Sequence, residues 1–114
     1  MIIKKDSLKS IDFFGLKIYD FTAGFESKSS FAVVQIPPNS NHKEAWSTRS
    51  DKFYYIINGK LQFILENKKF TLSKDDFLVV LKGQHFSYKN LQKCESPLIL
   101  IHTPSFDINS ERFK

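Results

Sequence analysis

The sequence predicts an all-β domain of short antiparallel strands with little helix. Short runs rich in β-branched and aromatic side chains recur along the chain, and turn-forming residues separate them. No long stretch places its apolar residues at helical spacing. The length of 114 residues suits a single compact domain. Together these observations predict an antiparallel β-sandwich or barrel.

The strands of the first half are the most clearly marked. A strand is predicted over 30–36 (SFAVVQI), which ends at a Pro-Pro-Asn-Ser turn. Two further strands, 52–57 (KFYYII) and 60–65 (KLQFIL), flank the dipeptide Asn58-Gly59. Because Asn-Gly is the strongest short signal for a two-residue hairpin, we expect these two strands to pair with each other.

Polar turns and a proline delimit the strands of the second half. They are predicted over 69–72, 77–81, 85–88 and 97–103. The longest irregular stretch covers 37–51, and long loops in compact domains are often functional.

The composition excludes several classes of protein. The chain carries a net charge of +5, but its lysines are scattered, and Arg49 and Arg112 are the only arginines. A nucleic-acid partner is therefore not expected. The single cysteine, Cys94, excludes an internal disulfide and a cysteine-based zinc site. No apolar run approaches the about 18 residues that a membrane span needs, and the charged amino end does not resemble a signal peptide. We therefore expect a cytoplasmic protein without a membrane partner.

Three segments resemble parts of a known family. Residues 50–61 (SDKFYYIINGKL) resemble the end of the first conserved motif of the cupin superfamily. Residues 75–90 (DDFLVVLKGQHFSYKN) resemble the second motif, and 97–104 (PLILIHTP) resembles the last strand. The resemblance implies a small, RmlC-like jelly-roll β-barrel over residues 30–107. Residues 1–29 would then be a segment with a strand that packs on the barrel or swaps into a dimer, and 108–114 a tail.

The positions that correspond to the metal ligands of the family carry other residues. The motif glutamate falls on Lys52, the first two histidines fall on Ala45 and Ser47, and the third falls on Phe86. An ammonium group cannot bind a cation, alanine and phenylalanine have no donor atom, and serine is a poor ligand for the usual metals. No cofactor is therefore expected. The remaining possibility is a divalent metal at a shifted site, for which the chain offers three histidines: His42, His85 and His102.

Strand alternation predicts which side chains line the barrel. The motif positions point inward in the family, so Lys52 and Tyr54 should point inward, as should Phe86 and Tyr88, with Ser47 at the mouth. In the last strand either Leu98, Leu100 and His102 or the alternate set faces inward, because both faces are apolar. The catalytic candidates are Lys52, Tyr54, Tyr88 and His102. A buried Lys52 would need a counter-charge, from Asp51, Glu44 or an anionic ligand, although Asp51 should face the opposite side of the strand.

Three functions are compatible with this pattern. The first is a metal-free cupin that binds a small polar or anionic molecule in the barrel. The second is a cupin enzyme of isomerase, epimerase or lyase type, which would use Lys, His and Tyr as acid–base groups or a shifted histidine metal site. The third is a dimeric interaction module. A homodimer is expected in any case, because Phe53, Tyr55 and Ile57 make the outward face of their strand apolar too.

Overall fold

A computed structural model describes all residues, 1–114, and shows an almost purely β protein. Its helical segments are two 3-10 turns of three residues each, Lys5–Ser7 and Ile108–Ser110. Neither of these turns has the length or the apolar character of a membrane-spanning helix. The eleven strands are β1 (Ile11–Phe13), β2 (Leu16–Asp20), β3 (Ser30–Ile36), β4 (Asn41–Ser47), β5 (Asp51–Ile56), β6 (Lys60–Leu65), β7 (Lys68–Ser73), β8 (Phe77–Val80), β9 (Phe86–Lys89), β10 (Ser96–Thr103) and β11 (Glu111–Phe113).

The strands form two antiparallel sheets. One has six strands in the order β1-β2-β3-β10-β5-β8, and the other has five in the order β11-β4-β9-β6-β7. The hydrophobic core lies between them, because it combines Tyr54 and Leu98 of the first sheet with Phe63 and Phe86 of the second. The expected all-β barrel of short antiparallel strands with little helix is confirmed.

The hairpin predicted at Asn58-Gly59 is wrong. Strand β5 pairs with β10 and β8, whereas β6 pairs with β7 and β9, so the turn carries the chain from one sheet to the other. Gly59 adopts φ +79°, and a Cβ there would lie 3.0 Å from the Ser96 hydroxyl oxygen. The Asn-Gly dipeptide therefore reports the backbone turn correctly. The pairing differs because both strands bury one face against the opposite sheet.

Both ends of the chain are part of the barrel. Strand β1 pairs with β2, and β2 continues the six-stranded sheet beside β3, so the segment 1–29 contributes two strands to that sheet. The predicted tail 108–114 contains β11, which pairs with β4. Strand β4 itself lies inside the stretch 37–51 that was predicted to be irregular. Its polar sequence hides the alternation that buries Ala45 and Ser47.

The inward face of the last strand is now defined. Leu98 is fully buried and His102 is 5% exposed, while Leu100 packs against the core from the same face. His102 lies directly opposite Lys52 on the neighbouring strand β5. The lysine and the histidine are therefore brought to the same inner surface.

Candidate functional site

A cavity of about 270 Å³ lies inside the barrel. Apolar side chains form most of its wall, and both ends of the chain contribute to it through Phe13 of β1 and Phe113 of β11. Seven ionisable side chains share this wall: Asp20, His42, Lys52, Tyr54, Tyr88, His102 and Glu111. The predicted pocket residues Lys52, Tyr54, Tyr88 and His102 are thus brought together.

Lys52 forms a buried ion pair with Glu111. The two side chains are 4% and 5% exposed, and the Lys52 ammonium donates to the Glu111 carboxylate. It also lies 4.6 Å from the centre of the Phe86 ring. Burial lowers the pKa of Lys52, and the adjacent Glu111 carboxylate partly offsets that effect.

Neither of the two carboxylates considered as a partner contacts Lys52, and Asp51 faces away from it, as strand alternation predicts. Asp51 lies on the opposite face of β5, where its carboxylate accepts from the Lys82 amide, and Glu44 pairs with His85 and Lys114. No local pattern marks Glu111, which is 59 residues from Lys52 in sequence. The one signal in the sequence is the physical requirement that a buried lysine have a counter-charge.

The two cavity histidines are held uncharged. Burial, together with the charge of the Lys52 ammonium, lowers the pKa of His42 to about 4 and that of His102 to about 3. The His42 Nδ1 atom lies 2.6 Å from the Lys43 carbonyl oxygen. Because a carbonyl oxygen can only accept, Nδ1 carries the proton and Nε2 is left as the acceptor. The buried Nε2 of His102 has no hydrogen-bond partner.

The two cavity tyrosines are held protonated. Burial raises the pKa of Tyr88, and burial together with Tyr88 and Glu111 raises that of Tyr54 well above its usual value. The His42 and Tyr88 rings are 5.1 Å apart between centres, and the Tyr54 and Tyr88 rings 6.1 Å. Neutral imidazoles that can accept protons and phenols that can donate them therefore lie side by side.

Two predicted pocket residues lie elsewhere. Ser47 is buried but lies outside the cavity wall, and its hydroxyl accepts hydrogen bonds from the amides of Arg49 and Ser50. Phe86 is also buried outside the wall and packs on Tyr54 in the core. Motif positions predict inward orientation correctly, but the cavity occupies only part of the barrel interior.

The shifted metal site is not assembled in this fold. His85 stacks on Trp46 at 4.1 Å between ring centres and lies 3.1 Å from the Glu44 carboxylate, away from His42 and His102. No group of three or more His, Cys, Asp or Glu side chains is placed to hold a metal ion. Lys52 stands at the position of the family's ligand glutamate, and its ammonium is paired with the Glu111 carboxylate. The residues present therefore do not fit the usual cupin metal.

A wider cleft of about 650 Å³ adjoins the cavity. The two share Asp20, Ser30 and Phe106 in their walls. The Phe106 ring contacts His102 edge to face, with 5.1 Å between ring centres, and its amide donates to the Ser30 hydroxyl. The cleft therefore adjoins the cavity beside His102.

The fold has clear counterparts among solved structures. No family model matches the sequence, and no curated protein matches it. Pac13, described as a unique nucleoside dehydratase, is 16% identical with a TM-score of 0.86, over 100% of this chain and 90% of that one. Streptomyces PAC13 has also been solved with uridine in variants that replace a tyrosine by phenylalanine or a histidine by glutamine.

Two further structures extend the comparison. KdgF from Halomonas sp. is 18% identical with a TM-score of 0.83, over 94% of this chain and 96% of that one. The cupin domain of Schizosaccharomyces pombe Cnp3 is 22% identical with a TM-score of 0.77, over 87% and 70%. Similarity at these identities concerns the fold. The chain therefore has the fold of the cupin superfamily, as its motif-like segments predict, with residues unsuited to the usual metal at the ligand positions.

Proposed function

We propose that this cupin is a metal-independent enzyme of lyase type that binds a small hydroxylated molecule in the barrel cavity and eliminates water from it. The observation that carries the proposal is the convergence of two imidazoles and two phenols on one cavity wall, with the His42 and Tyr88 rings 5.1 Å apart between centres. Burial keeps these groups uncharged but also makes the imidazoles weaker bases and the phenols weaker acids, so proton transfer depends on their direct contact with the substrate. Elimination needs a group that accepts a proton and another that donates one, at neutral pH and within one substrate's reach. The cavity supplies both.

The proposed step balances without a cofactor. A neutral imidazole nitrogen of His42 or His102 removes a proton from the carbon beside the one that bears the leaving hydroxyl. The C–H electron pair forms the double bond, the C–O bond breaks, and a tyrosine hydroxyl protonates the departing oxygen, which leaves as water. Transfer of a proton from the imidazolium to the tyrosinate then restores both groups.

The comparison with Pac13 supports this reaction class. That protein shares the fold over the whole of this chain, is described as a nucleoside dehydratase, and has been solved with uridine. A cavity with a mostly apolar wall and a few polar groups suits a ring that carries hydroxyls. Uridine is therefore the first probe to try on this chain.

We expect uridine or a related neutral nucleoside to bind, and replacement of Tyr88 by Phe to reduce turnover. Loss of an acid–base group typically lowers the rate by about 10²–10⁴-fold. Binding should be measured by calorimetry, and loss of water by mass spectrometry after incubation. The matched control is Tyr55→Phe, because Tyr55 is next to Tyr54 on the same strand but points to the outer face, where it donates to Asp75.

The outcomes separate the candidate functions. Binding with no water loss from any neutral nucleoside or sugar would favour a metal-free binding protein. Equal turnover in the Tyr88→Phe variant would contradict the role of that hydroxyl. Failure of every neutral probe to bind would leave the interaction module as the better explanation.

We also propose that two copies of the chain associate through the outer face of the six-stranded sheet. Phe31, Ile101 and Phe53 lie in one row across three neighbouring strands, and Tyr55 pairs with Phe77 in the adjacent row. Phe77 is 58% exposed and stacks on Phe53 with 6.0 Å between ring centres. A contiguous apolar surface of this kind is typical of an interface.

A homodimer mass is therefore expected in light scattering after size exclusion, and Phe77→Lys should shift the protein toward the monomer. Phe70→Lys is the matched control, because Phe70 is also an exposed aromatic residue but lies on β7 of the other sheet. A monomer mass for the unaltered protein at micromolar concentration would contradict this interface.

A further inference from the structure

The local charge of the cavity differs from that of the whole chain. A net charge of +5 suggests a preference for anions. Within the cavity wall, however, Lys52 is the single lysine or arginine, and its ammonium is already paired with Glu111. Both side chains of this ion pair are almost fully buried, so water does not weaken the attraction between the two charges. The cavity therefore has no free cation to offer an anionic ligand.

The rim of the cavity adds a further negative charge. Asp20 lines both the cavity and the adjoining cleft. Its Oδ1 atom accepts hydrogen bonds of 2.9 Å from the amide and the hydroxyl of Thr22, which fixes the carboxylate at this position. Since His42 and His102 are uncharged, the charged groups around the cavity are one ammonium and two carboxylates.

From this arrangement we infer that the cavity selects uncharged ligands and that Glu111 is the residue that sets this selectivity. The inference rests on the proposed function for the location of the site, and it narrows the substrate class to neutral hydroxylated rings such as nucleosides and free sugars. Nucleotides, sugar phosphates and sugar acids are excluded.

The physical reason is the cost of burying an unpaired anion. A phosphate or carboxylate that enters an apolar cavity loses its hydration and needs a charged or hydrogen-bonding partner to compensate. The Lys52 ammonium could serve only if Glu111 released it, and that carboxylate would then be buried next to a second anion. An uncharged ligand avoids both costs, because its hydroxyls can be met by the imidazole and phenol groups of the wall.

Glu111→Gln tests the inference, because glutamine keeps the shape and the carbonyl acceptor while it removes the negative charge. Calorimetric titrations of both proteins should use uridine, uridine 5′-monophosphate and inorganic phosphate, with NMR signals of the Tyr54 and Tyr88 rings to place binding in the cavity. We expect the unaltered protein to bind the monophosphate at least about tenfold more weakly than uridine and to show no phosphate binding in the cavity. The variant should gain phosphate binding and lose that discrimination.

The control is Glu44→Gln, which removes a carboxylate from the surface ion pair with Lys114 and should leave all three titrations unchanged. Phosphate binding in the cavity of the unaltered protein would overturn the inference, as would a folded Glu111→Gln variant that still excludes phosphate. If the variant does not fold, the titrations of the unaltered protein decide. Failure of uridine to bind would count against the proposed substrate, whereas the phosphate titrations would still test the selectivity.

Discussion

Acidification from pH 6.5 to about 4 will lower the free energy of unfolding steeply. In the folded state the pKa of His42 is about 4 and that of His102 about 3, against 6.5 for an ordinary histidine. The unfolded chain therefore takes up protons in this range that the folded chain does not, and stability rises with pH. The stabilisation is complete above pH 6.5 and is lost as the pH falls toward the folded-state values.

The free energy of unfolding is expected to change strongly with pH. Each histidine contributes about 1.4 kcal/mol per pH unit where only the unfolded state binds its proton. Two such groups act together between pH 6 and 4, and a domain of this size is typically stable by only about 5–15 kcal/mol. Urea unfolding at pH 7, 6, 5 and 4 measures the effect directly.

Substitution of each histidine shows how much that histidine contributes to the dependence of the free energy of unfolding on pH. His102→Gln and His42→Gln should each flatten the dependence on pH, because glutamine does not titrate. His85→Gln is the matched control, since the His85 side chain is 41% exposed beside Glu44 on the outside of the barrel. An undiminished slope in the His102→Gln variant would show that His102 titrates normally in the folded protein.

Removal of one partner of the buried ion pair is expected to destabilise the fold by about 3–5 kcal/mol. Lys52→Met leaves the Glu111 carboxylate buried without a counter-charge, and Glu111→Leu leaves the ammonium in the same condition. Replacement of both residues, as Lys52→Met with Glu111→Leu, should recover most of the loss, because no unpaired charge then remains buried.

The free energies of unfolding from urea titrations of the four proteins form a double-mutant cycle. Lys114→Ala is the matched control, because Lys114 is 74% exposed and its ammonium lies 3.7 Å from the Glu44 carboxylate. Exposed pairs contribute at most about 1 kcal/mol. Additive losses in the double variant, with no recovery, would mean that the two charges do not depend on each other.

Much of the barrel could be predicted from the sequence because its signals are local. The inward-pointing motif positions of the cupin resemblance, extended along each strand by its two-residue period, placed Lys52, Tyr54 and Tyr88 on the inner surface, where they are found. Positive φ at Gly59 and Gly83 agrees with the turns expected there. The motif positions also identified the residues that replace the metal ligands.

The rest depends on contacts between distant segments. The partners of β5 are β10 and β8 and not β6, which the turn sequence between β5 and β6 does not encode. Strand β11 has three residues and gains its place by pairing with β4, so that its local sequence carries almost no signal. Glu111 was missed for that reason, and with it the charge state of the cavity.

The pairing of Lys52 with Glu111 also limits how this chain can diverge. Because either single replacement leaves a buried charge uncompensated, paths that change one position at a time pass through a less stable protein. A carboxylate at position 52 would lie against Glu111, so that a metal-binding glutamate there would also require a change at position 111. The two positions, which lie on different sheets, are thus an epistatic unit whose members are expected to be inherited and replaced together.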